Sequence, residues 1–217
     1  MNMNAERLAT QLSGLPELSP EYDPWDPIRS LRRYGRHVLT SVEFTVSNLC
    51  NMRCEHCAVG YTLVASEPEK LPLDLMLRRL DEVEHLETIS ITGGEPSFSE
   101  KTVREYIVPL LKYARSRNIR SQLNSNLTLD YGRYEMIAPW LDVMHISYNY
   151  TSVEEFHRIT FGASPHPPSL ETAARLYERM VENARRLAKG GLFVSAESMI
   201  NYRTHRDIVR IHRDIVE

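Results

Sequence analysis

Ser41-Val-Glu-Phe-Thr-Val-Ser47 alternates apolar Val42, Phe44 and Val46 with polar Glu43 and Thr45, a period of two that predicts a strand. The same signature returns over residues 88–92, 119–124, 143–148 and 192–199. Between these runs the apolar residues move to helical spacing. Leu77, Leu80 and Val83 share one side of a predicted helix over 75–86. A second helix is expected over 103–117, where Pro109 should kink or split it, because proline lacks an N–H and clashes with the preceding turn. Residues 131–140 predict a short helical turn ended by Pro139. The clearest helix opens at Ser169, carries Ala173, Leu176, Tyr177, Met180, Ala184 and Leu187, and closes at Gly190-Gly191. A final helix is expected over 203–217. Strands alternating with helices predict an α/β fold with a parallel sheet and right-handed crossovers.

The two faces of the predicted strands differ. One carries Glu43, Thr45, Ser90, Thr92, Gln122, Asn124, His145, Ser147, Ser195 and Glu197. The other carries Val42, Phe44, Val46, Ile89, Ile91, Leu123, Met144, Ile146, Leu192 and Val194. A closed eight-stranded barrel fills its inside with bulky branched side chains. A polar face on all five strands predicts instead that helices cover the apolar face and that the polar face lines a cavity. An open, partly wound barrel meets that description.

Composition narrows the setting. The chain has 217 residues, 26 Lys and Arg against 29 Asp and Glu, and a net charge of −3. That length suits one domain with a substantial core, and the balance is no footprint for a nucleic-acid backbone or an anionic membrane. Residues 1–15 lack a long apolar run, so neither a signal sequence nor a membrane span is expected. Residues 1–40 read as a separate lead-in, broken by Pro16, Pro20, Pro24 and Pro27. They are expected to cap one end of a core over 41–217, with Trp25 as the anchor. His37, His157, His166, His205 and His212 lack ligand spacing and read as surface residues.

Cys50, Cys54 and Cys57 are the only cysteines, clustered just after the first strand. An odd count this tightly spaced is no disulfide framework, but it can wrap one metal centre. Zinc would need a fourth ligand, such as His56 or His85, and would make the chain an interaction module. On a four-iron cluster, three cysteines leave one iron open for chemistry. Free clustered thiols belong in a reducing compartment, which predicts the cytoplasm. A second motif, Gly93-Gly94-Glu95-Pro96, follows the second strand. Its glycines allow a sharp turn and its proline stops the strand.

Cysteines spaced C-x3-C-x2-C after one strand, with Gly-Gly-Glu-Pro after the next, resemble the radical S-adenosylmethionine (SAM) superfamily. His56 stands where that family most often has an aromatic hydrocarbon ring. The resemblance implies a partial (β/α)6 TIM-like barrel, of which about five strand–helix units are present here. It also implies that Cys50, Cys54 and Cys57 hold a [4Fe-4S] cluster, and that Gly93, Gly94, Glu95 and Pro96 form the edge bonding the SAM amino group. Bulk at Gly94 is then expected to weaken SAM binding and spare the cluster. Ser125-Asn126-Leu127-Thr128-Leu129 is similar to the family's Thr-Asn-Gly-Thr-Leu turn, with Leu127 in the glycine position and Asn126 kept. Ile146-Ser147-Tyr148-Asn149 is similar to Ile-Ser-Leu-Asp, with Ser147 kept for a ribose contact. Glu197 is placed to meet SAM or substrate.

The implied chemistry is reductive cleavage of SAM to a 5′-deoxyadenosyl radical that abstracts hydrogen from a substrate the sequence does not identify. An external one-electron donor such as a flavodoxin or ferredoxin is implied as a partner. The lead-in around Tyr22-Asp-Pro-Trp-Asp-Pro27 further suggests the branch with a C-terminal Cys-x-Cys-x4-Cys motif, which this sequence lacks. The chain ends inside an amphipathic pattern without a cap, so a missing C-terminal segment, and hence a catalytically incomplete fragment, is expected.

Overall fold

The period-two runs pair side by side in the order of the sequence. The computed structural model describes residues 31–216 apart from 32, 68 and 203, so most of the 1–40 lead-in, Trp25 included, lies outside the described residues. Five strands, β1 (Ser41–Ser47), β2 (Thr88–Gly93), β3 (Arg120–Ser125), β4 (Val143–Ser147) and β5 (Phe193–Glu197), form one sheet in the order β1-β2-β3-β4-β5. Every pairing is parallel. Parallel neighbours require crossovers, and helices supply them. These are α1 (Leu73–Asp81), α2 (Val108–Ser116), α3 (Tyr131–Ile137), α4 (Val153–Thr160) and α5 (Leu170–Lys189), with α6 (Ile208–Val216) after β5. The sheet is open: among the described residues β1 and β5 are its two edges.

Register carries the two-faced pattern across the sheet. Phe44 pairs with Ile91, Ile91 with Leu123, Leu123 with Met144, and Met144 with Val194. Ile91, Leu123 and Met144 are fully buried, as are Leu110, Leu111 and Ala114 of α2, Tyr134 and Ile137 of α3, and Ala173 of α5. Each buried large apolar side chain contributes about 2 kcal/mol. The opposite face sets Ser90 beside Gln122, Asn124 beside His145, and His145 beside Ser195. The polar side chains thus stand on the side away from most of the helices.

Helix boundaries depart from expectation in physically readable ways. α1 stops at Asp81, and Val83 lies in the turn that follows, where its N–H bonds the Leu80 carbonyl. Pro109 does not split its helix. A helical start at Glu100–Thr102 passes through a π-helical stretch at Val103–Ile107 into α2, with Pro109 in the first turn of α2. The wider turn accommodates a residue that cannot donate to the ladder. α4 was not expected at all. Its N-cap Ser152 accepts from the Glu155 N–H, and Phe156, Ile159 and Thr160 form its buried side. Ser169 caps α5 in the same way, through the Thr172 N–H.

The described end of the lead-in packs at the entrance to β2. Tyr34 donates to Glu87 at 2.7 Å, and its ring stacks on His85 with centroids 4.2 Å apart. His85 therefore sits at the N-terminal end of the strands, the end opposite the cysteines. Among the described residues no helix is long and apolar enough to cross a membrane.

Candidate functional site

The cysteine loop leaves the C-terminal end of β1 and is pinned on several sides. Arg53 donates through its guanidinium to the Cys50 carbonyl at 2.9 Å and the Met52 carbonyl at 2.7 Å. The Arg53 and Glu55 N–H groups bond the Thr160 and Ile159 carbonyls, and the Ala163 N–H returns to the Arg53 carbonyl. The loop is thereby stitched to the end of α4. Downstream, Glu67 accepts from the Asn48 N–H at 3.2 Å and pairs with Lys70 at 2.8 Å. Burial alone would raise the Glu67 carboxyl, but hydrogen bonds from Lys70, Ser47 and Asn48 and the Lys70 charge hold it below its ordinary value.

All three cysteines are unbridged and partly buried. Burial pushes the Cys50 thiol up to about 11, against the Met52 N–H that favours the thiolate. It pushes Cys54 up to about 12, with Cys50 and Cys57 adding to the effect. Burial also lowers His56, against the Glu55 charge, so its imidazole favours the neutral form. Among the described residues no three His, Cys, Asp or Glu side chains converge closely enough to hold a single metal ion. A cuboidal cluster does not require that convergence, because each thiolate ligates a different iron. Soft sulfur donors at the mouth of a cavity suit such a group.

Gly93-Gly94-Glu95-Pro96 fits against the cysteine loop by backbone contact. The Gly94 N–H bonds the Ser47 carbonyl at 2.8 Å and the Glu95 N–H bonds the Leu49 carbonyl at 2.7 Å. Gly93 has φ +141°, and a Cβ there would stand 2.2 Å from the Ser47 oxygen. A Cβ on Gly94 would meet the Leu49 oxygen at 2.4 Å. This corrects the expectation for Gly94: added bulk would strike the residue just before Cys50, so it would disturb the cysteine loop as well as the turn.

Glu95 is buried and does not line the open cavity. Its carboxylate accepts from the Ser97 N–H at 3.1 Å, the Ser125 hydroxyl at 2.9 Å and the Asn126 N–H at 2.8 Å. Burial raises its carboxyl above the ordinary value, and these donors only partly offset the effect. Glu95 therefore braces the turns after β2 and β3. Asn126 in turn donates to the Asn51 side chain at 2.9 Å, which ties the β3 turn to the cysteine loop.

Leu127 occupies the turn without a glycine. Its φ is +53°, the left-handed region that costs a side-chain-bearing residue about 1 kcal/mol. The side chain is fully buried, which repays that strain several times over. Buried Asn183 of α5 donates to the Leu127 carbonyl at 2.7 Å and the Leu129 carbonyl at 2.9 Å, holding the turn from behind. Asn183 was invisible in the sequence, since a polar residue on a long helix reads as solvent-facing.

Strands β4 and β5 complete the site. A cavity of about 460 Å³ is lined by Cys50, Cys54, Cys57 and His56, by Gly93 and Gly94, and by Asn124, Asn126, Ser147 and Glu197. The structure thus gathers most of the sequence-predicted residues around one space. Glu95 and Pro96 are the exceptions, lying outside that lining. Asn149, in the family's carboxylate position, accepts from the Met199 N–H and joins the ends of β4 and β5. Met52, Tyr150 and Met199 also line the cavity, and the sequence reading did not anticipate them. His157, read as a surface residue, is only partly exposed and bonds the Pro168 carbonyl at 2.7 Å.

Comparison with known proteins agrees with this geometry. The sequence profile of the Radical SAM superfamily matches residues 44–215. The chain is 54% identical over 208 residues to the "Putative protein YfkA" of Bacillus subtilis (strain 168), covering 96% of this chain and 56% of that protein. It therefore spans little more than half the length of that curated relative. Among solved structures, "Native anSMEcpe with bound AdoMet and Cp18Cys peptide" superposes with a TM-score of 0.59 at 18% identity, covering 80% of this chain and 46% of that one. Streptococcus suis SuiB bound to S-adenosylmethionine gives 0.57 at 16% identity, covering 96% and 47%. At such identities the likeness speaks for the fold, an open, partial TIM-like barrel. With a profile match over most of its length, the chain belongs to the radical SAM superfamily of enzymes.

Proposed function

We propose that this chain is a radical SAM core in which Cys50, Cys54 and Cys57 hold a [4Fe-4S] cluster. One observation carries the reading: the three cysteines and the Gly93-Gly94 edge face a single cavity that Asn126, Ser147 and Glu197 also line. Held by Cys50, Cys54 and Cys57, a reduced cluster would supply the electron for cleavage of SAM to methionine and a 5′-deoxyadenosyl radical. The chain's own residues bind, orient and exclude. Gly93 and Gly94 let the turn close on the end of β1, and its backbone edge would bind the SAM amino group. Glu95 and Pro96 act behind that edge, Glu95 by fixing the turn. Asn126 positions the cysteine loop through Asn51, and Ser147 meets the ribose. Partial burial of the cysteines limits water at the reacting centre.

The radical would abstract hydrogen from a substrate outside this description. The reductant would be a one-electron protein donor of the flavodoxin or ferredoxin kind, in the cytoplasm. Residues 41–217 would form the core and residues 1–40 its cap. Reconstitution with iron and sulfide without oxygen, followed by SAM and dithionite, tests this directly. The expected products are methionine and 5′-deoxyadenosine. Tightly held zinc and intact SAM would overturn the reading in favour of an interaction module.

A further inference from the structure

A line of polar side chains runs across the inner face beneath the cavity, and its donors and acceptors can be assigned one by one. Gln122 Nε2 donates to Ser90 Oγ at 3.2 Å, which turns Gln122 Oε1 toward His145. That oxygen lies 2.7 Å from His145 Nε2. An amide oxygen can only accept, so Nε2 carries the hydrogen. In a neutral imidazole Nδ1 is then an acceptor. It is buried and has no hydrogen-bond partner among the described residues. The group facing it is Glu197 Oε1 at 3.6 Å, a second acceptor. At that separation no hydrogen bond joins the pair.

A third acceptor stands alongside. Asn124 pairs in register with His145, and its Oδ1 is also buried without a partner. Asn124 and Glu197 both line the cavity beside the cysteines, and His145 pairs in register with Asn124 and contacts Glu197. Three acceptors, one of them a carboxylate, call for a compact cation bearing several N–H groups. A primary ammonium has three N–H donors and one positive charge.

We propose that Asn124, His145 and Glu197 form a pocket for a primary ammonium group of the substrate, an inference that rests on the radical SAM reading for what fills the rest of the cavity. Glu197 then belongs to substrate recognition rather than to SAM. Gln122 and Ser90 are positioning residues that fix the imidazole tautomer.

The test uses the full chain, nitrogen-15 imidazole NMR near neutral pH, and n-butylammonium as the probe. The ring nitrogens of His145 serve as the reporter. Butylammonium should shift the Nδ1 resonance saturably, whereas tetramethylammonium, equally charged but without N–H donors, should not. Glu197→Gln, at a half-exposed position, should weaken butylammonium binding about tenfold or more while SAM affinity stays within about twofold. An equal response to tetramethylammonium, or a matching loss of SAM affinity in Glu197→Gln, would each overturn the pocket. A protein that binds butylammonium as described but never binds SAM would uphold the pocket and overturn the radical SAM reading alone.

Discussion

The Glu95 carboxylate accepts the Asn126 backbone N–H at 2.8 Å, joining the turn after β2 to the turn after β3. Both turns face the cysteine loop, one through Gly94 and Ser47, the other through Asn126 and Asn51. The three segments that carry the motifs are therefore one hydrogen-bonded unit. Disturbance of any one is transmitted to the others.

Glu95 gives this unit a pH signature. Its folded carboxyl is raised above the ordinary 4.5, so between 4.5 and the raised value the folded state keeps a proton that the unfolded chain has lost. Stability from this group is full below 4.5 and falls as pH rises through that window. Urea unfolding across pH should show the wild-type advantage over Glu95→Gln shrinking from pH 4.5 upward. A difference that grows with pH would refute the assignment.

Cys54→Ala removes one thiolate from the proposed cluster set. After anaerobic reconstitution the variant should lack the visible absorption and the four-iron content of the wild type. Retention of a full cluster would remove Cys54 from the ligand set.

Gly94→Val should damage two functions together. The new Cβ would meet the Leu49 oxygen at 2.4 Å and the Leu63 side chain at 3.0 Å. Iron content and SAM binding should both fall, with a stability loss of about 2 kcal/mol or more from the forced backbone shift. A normal cluster with only SAM affinity reduced would show that the loop yields without cost.

Leu127→Gly should destabilise the protein although it relieves a left-handed backbone. About 1 kcal/mol of strain is recovered, whereas removing a fully buried leucine side chain costs about 3 to 4 kcal/mol. Denaturant unfolding should report a net loss of about 2 to 3 kcal/mol.

What the sequence made legible follows the physics of each signal. Strand β1 was predicted at Ser41–Ser47, where it lies, because alternation ran unbroken from Val42 to Val46. The polar inner face was legible for the same reason, since one slip in register would have scrambled Gln122, Asn124 and His145. Helix α4 was missed although Ser152 and Glu155 sit at capping-box spacing, a signal hidden by the short run that follows. That Leu127 can hold a left-handed turn in a glycine position was not legible, because burial of its side chain is a tertiary effect. Only the fold shows that Glu95 is buried against the turns after β2 and β3, for nothing in Gly-Gly-Glu-Pro says what the carboxylate bonds.

The stitching of Arg53 and Glu55 to Thr160 and Ile159 has a consequence for biogenesis. The backbone partners of the cysteine loop lie more than a hundred residues further along the chain. During synthesis from the N-terminus, the loop emerges long before the segment that shapes it. Its thiols wait in an unfinished cradle, open to oxidants and stray metals, until the end of α4 has left the ribosome and docked. On the proposed ligand set, cluster loading is expected to be a late event, completing the fold rather than nucleating it.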